Sequence, residues 1–165
     1  MPVTEVEQKV AEALTALGIA WVRHEHPPVF TVEDTKLYWR DLQATHCKNL
    51  FLRNNKGNRH YLVIAEASKA VDLKALNRAL GEDRLSFGSP ERLKRCLGLE
   101  PGSVSPFGLL NNAARDVRVI VDLELRASER LGFHPNTNTA TLEVSRADFE
   151  RFLAAMGNEV CWLPV

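Results

Sequence analysis

Apolar residues recur at two different spacings along this chain, and the alternation between them lays out its elements. Val6, Val10, Ala13, Leu14 and Leu17 follow helical spacing behind Thr4-Glu5-Val6-Glu7, a capping box, and Gly18 comes next as a stop. The spacing predicts a helix over 4–17. Ile19 to His24 reads as a strand, and His26-Pro27-Pro28 leaves helical geometry because each proline restricts the residue before it. Thr31 then caps a short helix running toward Trp39. Two apolar runs, Asn49 to Leu52 and Tyr61 to Ala65, flank the polar stretch Asn54 to Asn58 in a strand-turn-strand pattern.

Asp72 opens a helix through Leu73, Leu76 and Leu80 that Gly81 stops, and a short strand follows around Leu85 to Phe87. Ser89-Pro90-Glu91 combines a cap, a proline at the first helical position and an acid in the first turn, so a helix runs from there to about Gly98. Glu100 to Asn112, rich in Gly, Pro and Ser, reads as a loop. Val117 to Leu123 and Ala140 to Val144 read as strands. Ser145-Arg146-Ala147-Asp148 caps a last helix reaching Met156, and Val160 to Leu163 reads as a final strand. Helices and hairpins interspersed in this way argue against a purely parallel doubly wound sheet. They predict an α/β fold of the mixed α+β kind, a mixed β-sheet surrounded by helices, in a single domain over 1–165 with the N-terminal helix packed on it.

The composition supports a core of that size. The 165 residues are 45% apolar, with 21 Lys plus Arg against 21 Asp plus Glu, which excludes disordered and collagen-like chains. Neutrality also argues against holding nucleic acid by a global basic field. The charge is uneven, however. Residues 1–34 carry six acids against two bases, a net of −4, while residues 36–60 carry Lys36, Arg40, Lys48, Arg53, Lys56 and Arg59 against Asp41, a net of +5. Solvated charge on two adjoining elements explains this, and so does a local phosphate-binding patch.

Cys47, Cys96 and Cys161 are far apart with no C-x-x-C pair, which suggests neither a disulfide framework nor a zinc knuckle and fits a cytoplasmic location. The N-terminus lacks the features of a signal peptide, and the aliphatic run Leu62 to Ala65 is too short to span a bilayer, so no membrane partner is expected.

The usual catalytic motifs are missing: no G-x-G-x-x-G, P-loop, H-E-x-x-H or G-x-S-x-G. His24 and His26 share a strand face but have no third ligand at a recognisable spacing, so no metal is expected. His46 and Cys47 are adjacent on a strand and point to opposite faces, which disfavours a Cys/His nucleophile. Three segments resist a purely structural reading. Lys48 and Asn49 enter a strand that is otherwise apolar toward Leu52. Gly102-Ser103-Val104-Ser105-Pro106-Phe107-Gly108 is a loop whose glycines permit close backbone approach. Gly132 to Thr139 puts His134 and several small hydrogen-bonding side chains in a turn before a strand. A snorkelling lysine, a tight connection and ordinary turn formers are the structural alternatives.

Taken in order, the K-N-L-F-L core at Lys48 to Leu52, V-D-L-K at Val71 to Lys74, the G-x-x-x-P loop Gly102 to Pro106 and F-H-P-N-x-N-T-A-T-L from Phe133 to Leu142 resemble the YbaK/ProX superfamily. Its members are free-standing relatives of the editing domain inserted in bacterial prolyl-tRNA synthetases, and the resemblance is closest to the alanyl-tRNA(Pro) deacylase branch. It implies hydrolysis of the ester joining a misattached amino acid to tRNA(Pro). It also implies Lys48 and Asn49 as the catalytic pair, Gly102, Ser103, Val104, Ser105, Pro106 and Phe107 as the substrate-binding loop, and His134 as a pocket residue. No cofactor is implied. The implied partners are the acceptor end of mischarged tRNA(Pro) and, transiently, prolyl-tRNA synthetase. Hydrolysis of another mischarged tRNA, such as cysteinyl-tRNA, and a non-catalytic tRNA-binding module are the alternatives. Val104, Phe107 and His134 are expected to shape a pocket that accepts alanine and rejects proline.

Overall fold

The structure, a computed structural model, describes residues 3–28 and 44–165. Helix α1 (Glu5–Ala16) begins where Thr4 accepts the Glu7 amide and buries Val10 and Leu14. Gly18 turns left-handed (φ 70) and the Ile19 amide bonds back to Leu14 O at 2.9 Å. The first residues of the predicted strand thus finish the helix, and β1 (Val22–Glu25) starts later than expected. The expected Thr31-to-Trp39 helix lies outside the described residues. Strand β2 (Thr45–Asn54) extends beyond its apolar run on both sides, and β3 (His60–Glu66) returns beside it. Asn54 Oδ1 closes the turn between them by accepting the Asn58 and Arg59 amides at 3.1 and 3.0 Å.

The next elements are α2 (Leu73–Leu80), capped by Asp72, then β4 (Leu85–Phe87) and α3 (Pro90–Leu97), capped by Ser89. The predicted loop contains a short 3-10 helix, Pro106–Asn111. Strand β5 (Val117–Asp122) stops one residue early because Asp122 caps a second 3-10 segment, Leu123–Ala127. Strand β6 (Arg130–Phe133) was not predicted: it is four residues long and contains a glycine. Strand β7 (Ala140–Ser145), α4 (Arg146–Met156) and β8 (Val160–Leu163) complete the chain.

The eight strands form one mixed sheet in the order β1-β7-β6-β2-β3-β5-β8, with β4 also paired to β2. Successive strand residues point to opposite faces, so the sheet sorts its apolar side chains into two clusters. Leu62, Ile64, Val119, Leu131 and Phe133 face the larger one, which α1, α3 and α4 close with Leu14, Leu97, Phe149 and Phe152. Tyr61, Val63 and Ile120 face the other side, where α2 contributes Leu76. On this second face the apolar cluster reaches only as far as Leu50 and Leu52 of β2. Beyond it, β6, β7 and β1 present Gly132, Glu143, Thr141 and His24, a polar floor beside the apolar one.

Candidate active site

Strand β2 changes partners along one edge. Thr45 and His46 pair in parallel with Leu131 and Gly132 of β6. Farther along, Leu52 to Asn54 pair with β4, and the Gly88 amide donates to Phe51 O at 2.9 Å. The opposite edge pairs with β3 from Cys47 to Arg53. Between Cys47 and Leu50, no strand among the described residues pairs with the outer edge. The sheet is split there, and Lys48 and Asn49 lie in the split.

These two neighbours leave the strand on opposite faces. Lys48 shares the face of His46 and Leu50, and its half-buried ammonium donates to Lys69 O. An ammonium has three donors, so two stay available to a ligand. The Lys69 side chain is itself held by Asp122, which is fully buried, at 2.7 Å and by Glu124 at 3.3 Å. Asn49 shares the face of Cys47 and Phe51, and its Oδ1 is buried with no hydrogen-bond partner among the described residues.

His46 stands opposite Gly132, and His134 lies near enough to act on its charge, so strand β2 carries Lys48 two residues beyond this pair on the face of His46. His134 Nδ1 lies 3.0 Å from Ala140 O; a carbonyl only accepts, so Nδ1 carries the proton and Nε2 of the neutral ring is an acceptor. The His26 ring packs edge-on to it at 5.9 Å, donates from Nδ1 to Pro27 O and in its neutral form accepts from Thr141 Oγ1, both at 2.9 Å. His46, beside them, is 8% exposed. Burial first, then the nearby His134, His24 and His26, push its pKa down to about 3. Burial lowers His134 as well, against the opposing pull of its bond to Ala140 O. His24 donates to Glu143 Oε1 at 3.2 Å while Arg130 bonds Oε2. Burial alone would raise the Glu143 carboxyl, but these two bonds hold it below the usual carboxylate range. His46 and His134 are therefore polar and uncharged near neutral pH.

The glycine-rich loop reaches this region from the other face. Gly102 is left-handed (φ 88) and Ser103 donates to Glu100 O at 3.1 Å. Ser105, fully buried, accepts the Phe107 amide at 3.0 Å. Phe107, expected to shape the pocket wall, is 1% exposed and packs edge-on to Phe133 at 5.9 Å and Phe152 at 5.2 Å. It underpins the loop from the core, leaving Gly102, Ser103 and Val104 as the accessible part. Phe133 directly precedes His134, so one aromatic contact ties the loop to the strand that carries the histidine. Cys47 faces the core, donates to Thr45 O at 3.6 Å and has its thiol pushed far up by burial and then by Glu66, so it is no thiolate nucleophile.

Sequence reasoning found Lys48, Asn49, the loop and His134 but missed Gly132, Thr141 and Glu143 as parts of the same surface. Four of the five histidines, His24, His26, His46 and His134, converge here from three separate strands and their ends. Only the sheet register reveals that.

A family model, the aminoacyl-tRNA editing domain, matches residues 26–152. The chain belongs to that family. Among its relatives, prolyl-tRNA editing protein ProX of Acetoanaerobium sticklandii is 40% identical over 154 residues, covering 93% of this chain and 94% of that one. Prolyl-tRNA synthetase associated domain-containing protein 1 of Mus musculus is 31% identical over 160 residues, covering 94% of each. A crystal structure of a candidate trans-editing enzyme for prolyl tRNA synthetase superimposes with a TM-score of 0.74 at 21% identity, covering 99% of each chain, and so has the same editing-domain fold. The split in β2 lies within the matched region, as do the loop and His134.

Proposed function

We propose that this protein is a trans-editing hydrolase that cleaves the ester between a misattached amino acid, above all alanine, and the 3′ end of tRNA(Pro). The observation that carries this reading is the split edge of β2, which holds Lys48 on one face, two residues from His46 and the nearby His134, while the loop Gly102–Pro106 is anchored on the other face through Phe107 and Phe133.

An aminoacyl ester is already activated, and the neighbouring ribose hydroxyl can orient the attacking water, so the reaction requires no side-chain nucleophile. Lys48 directs its two available donors at phosphate or at the negative charge that develops on the ester oxygen. The His134 ring is fixed by its Nδ1–H bond to Ala140 O. Asn49 Oδ1, whose burial without a partner costs about 1–3 kcal/mol, gains when a substrate N–H or O–H reaches it. The accessible backbone of Gly102 to Val104 receives the aminoacyl group, and a site fitted to alanine rejects the larger proline. A second sieve is needed because one methylene in an apolar synthetase pocket separates competitors by only about 1–3 kcal/mol.

In this reading the enzyme works in the cytoplasm without a cofactor, on the acceptor end of mischarged tRNA(Pro) and in transient contact with prolyl-tRNA synthetase. The test is a deacylation panel of alanyl-, cysteinyl-, seryl- and prolyl-tRNA(Pro). Rapid loss of alanine with prolyl-tRNA(Pro) spared is expected. Preferential loss of cysteine would reassign the substrate, and binding with no ester lost would make the protein a tRNA-binding module.

A further inference from the structure

The basic stretch over 36–60 resolves into charges with different fates. Arg59 is neutralised by Glu82 at 3.0 Å, and Lys48 belongs to the split in β2. Arg53, five residues beyond Lys48 and hence about 17 Å along the same strand, has no acidic partner among the described residues. Its guanidinium donates only to the turn carbonyls Asn54 O and Asn55 O, at 3.2 and 3.0 Å. Opposite it in the ladder is His60, 8% exposed and stacked on Phe51 with ring centroids 5.5 Å apart.

Helix α3 brings two more cations to the same place. Arg92 donates to Gly57 O and to His60 Nε2, each at 3.0 Å. Arg95, three residues on and so on the same side of the helix, is exposed. Neither has an acidic ion-pair partner among the described residues. Burial first, then the charges of Arg92 and Arg95, lower the His60 pKa; Asp116 opposes them, and Arg53 adds to the lowering. Three guanidiniums thus act on one neutral histidine, and Asp116, the acid nearby, already takes Asn112 Nδ2 at 2.9 Å. Lys56 is exposed on the adjoining turn.

Three guanidiniums around one acid, Asp116, leave an excess of positive charge, so the arrangement suits an anion with several acceptor oxygens, and the planar forks of arginine match phosphate geometry. We propose that Arg53, Arg92 and Arg95 form a phosphate-gripping patch for the double-helical part of an RNA whose 3′ end lies at Lys48. The identity of that RNA as tRNA(Pro) rests on the editing reading; the patch itself does not. Arg53 leaves β2 on the face of Asn49, opposite Lys48, so an RNA gripped here reaches Lys48 through the split, about 17 Å along the strand.

The test is a titration of labelled, uncharged tRNA(Pro) with the full-length protein at salt concentrations from 50 to 200 mM, followed by fluorescence anisotropy. Each phosphate contact contributes about 0.7–0.9 to the slope of log affinity against log salt. Arg53→Gln with Arg95→Gln should therefore lower that slope by about 1.4–1.8, and the pair Arg53→Lys with Arg95→Lys should restore it. The preference for full-length alanyl-tRNA(Pro) over a 3′-terminal alanyl trinucleotide should shrink in the glutamine variant. An unchanged slope in the glutamine variant overturns the patch, and so does an equal loss of slope in the lysine variant, which would mean a structural role. If no form hydrolyses any ester, the editing reading fails while the salt slope still decides the patch.

Discussion

Gly132 faces His46 across the parallel ladder, and a Cβ placed on Gly132 would lie 3.2 Å from both Nδ1 and Cε1 of the imidazole. The glycine is the seat of a buried ring, and Thr141 Cγ2, at 3.3 Å from the same point, closes the other side. Gly132→Ala forces the ring or the strand to give by a few tenths of an ångström. We expect a cost of about 1–2 kcal/mol in urea unfolding, with a larger proportional loss of deacylation because the displaced ring lies beside His134. An alanine variant as stable and as active as the parent would show that the ring moves freely.

The buried histidines make stability depend on pH in a defined direction. His46 has a folded pKa of about 3, against an ordinary value of about 6.5. Between these values the unfolded chain binds a proton that the folded one refuses, so stability is full above pH 6.5 and falls as the pH drops toward 3. The slope is about 1.4 kcal/mol per pH unit from this residue, and His60 and His134, shifted the same way, steepen it. Glu143, held low by Arg130 and His24, loses its contribution at still more acid pH, as it is protonated. Urea midpoints measured from pH 7 to pH 4.5 should fall throughout. His46→Gln should flatten the curve by about 1.4 kcal/mol per unit; an unaltered slope would mean that His46 is not buried in its neutral form.

Local sequence signals accounted for the helices because each carries its own start and stop: Thr4 and Gly18, Asp72 and Gly81, Ser89 and Gly98, Ser145 and Gly157. They failed where an element is defined by its neighbours. Strand β6 has only Leu131 and Phe133 as apolar residues, and it exists because β2 and β7 flank it. The loop Gly102 to Phe107 was recognisable as a segment, but the burial of Phe107 under Phe133 depends on a contact 26 positions away. Lys48 stood out as a cation in an apolar strand. That it faces away from Asn49 followed from strand alternation, whereas the meeting of His46 with Gly132, near His134, followed only from the register of β2 on β6.

Phe107 offers a way to loosen the loop without touching its accessible residues. Phe107→Ala should cost about 3–5 kcal/mol, as expected for a large aromatic removed from between Phe133 and Phe152. Phe107→Leu should cost about 1–2 kcal/mol and leave the protein folded. In the leucine variant kcat/KM for alanyl-tRNA(Pro) should fall at least about tenfold, since small misplacements of a positioning element are expensive in rate. A leucine variant with full activity would detach the loop from catalysis.

Lys48 carries the sharpest prediction. Its ammonium donates to Lys69 O on a half-buried surface, so Lys48→Ala removes one hydrogen bond, worth about 1 kcal/mol, and leaves a carbonyl that water can reach. Thermal unfolding should therefore shift little. Deacylation of alanyl-tRNA(Pro) should drop by about 100-fold or more in single-turnover measurements, the scale expected when a preorganised donor to a developing oxyanion is lost. Lys48→Arg should not rescue it, because a planar fork cannot both satisfy Lys69 O and direct a point charge into the split. Unchanged hydrolysis by the alanine variant at saturating enzyme would remove Lys48 from the machinery, and a variant that melts far below the parent would assign it to the fold instead.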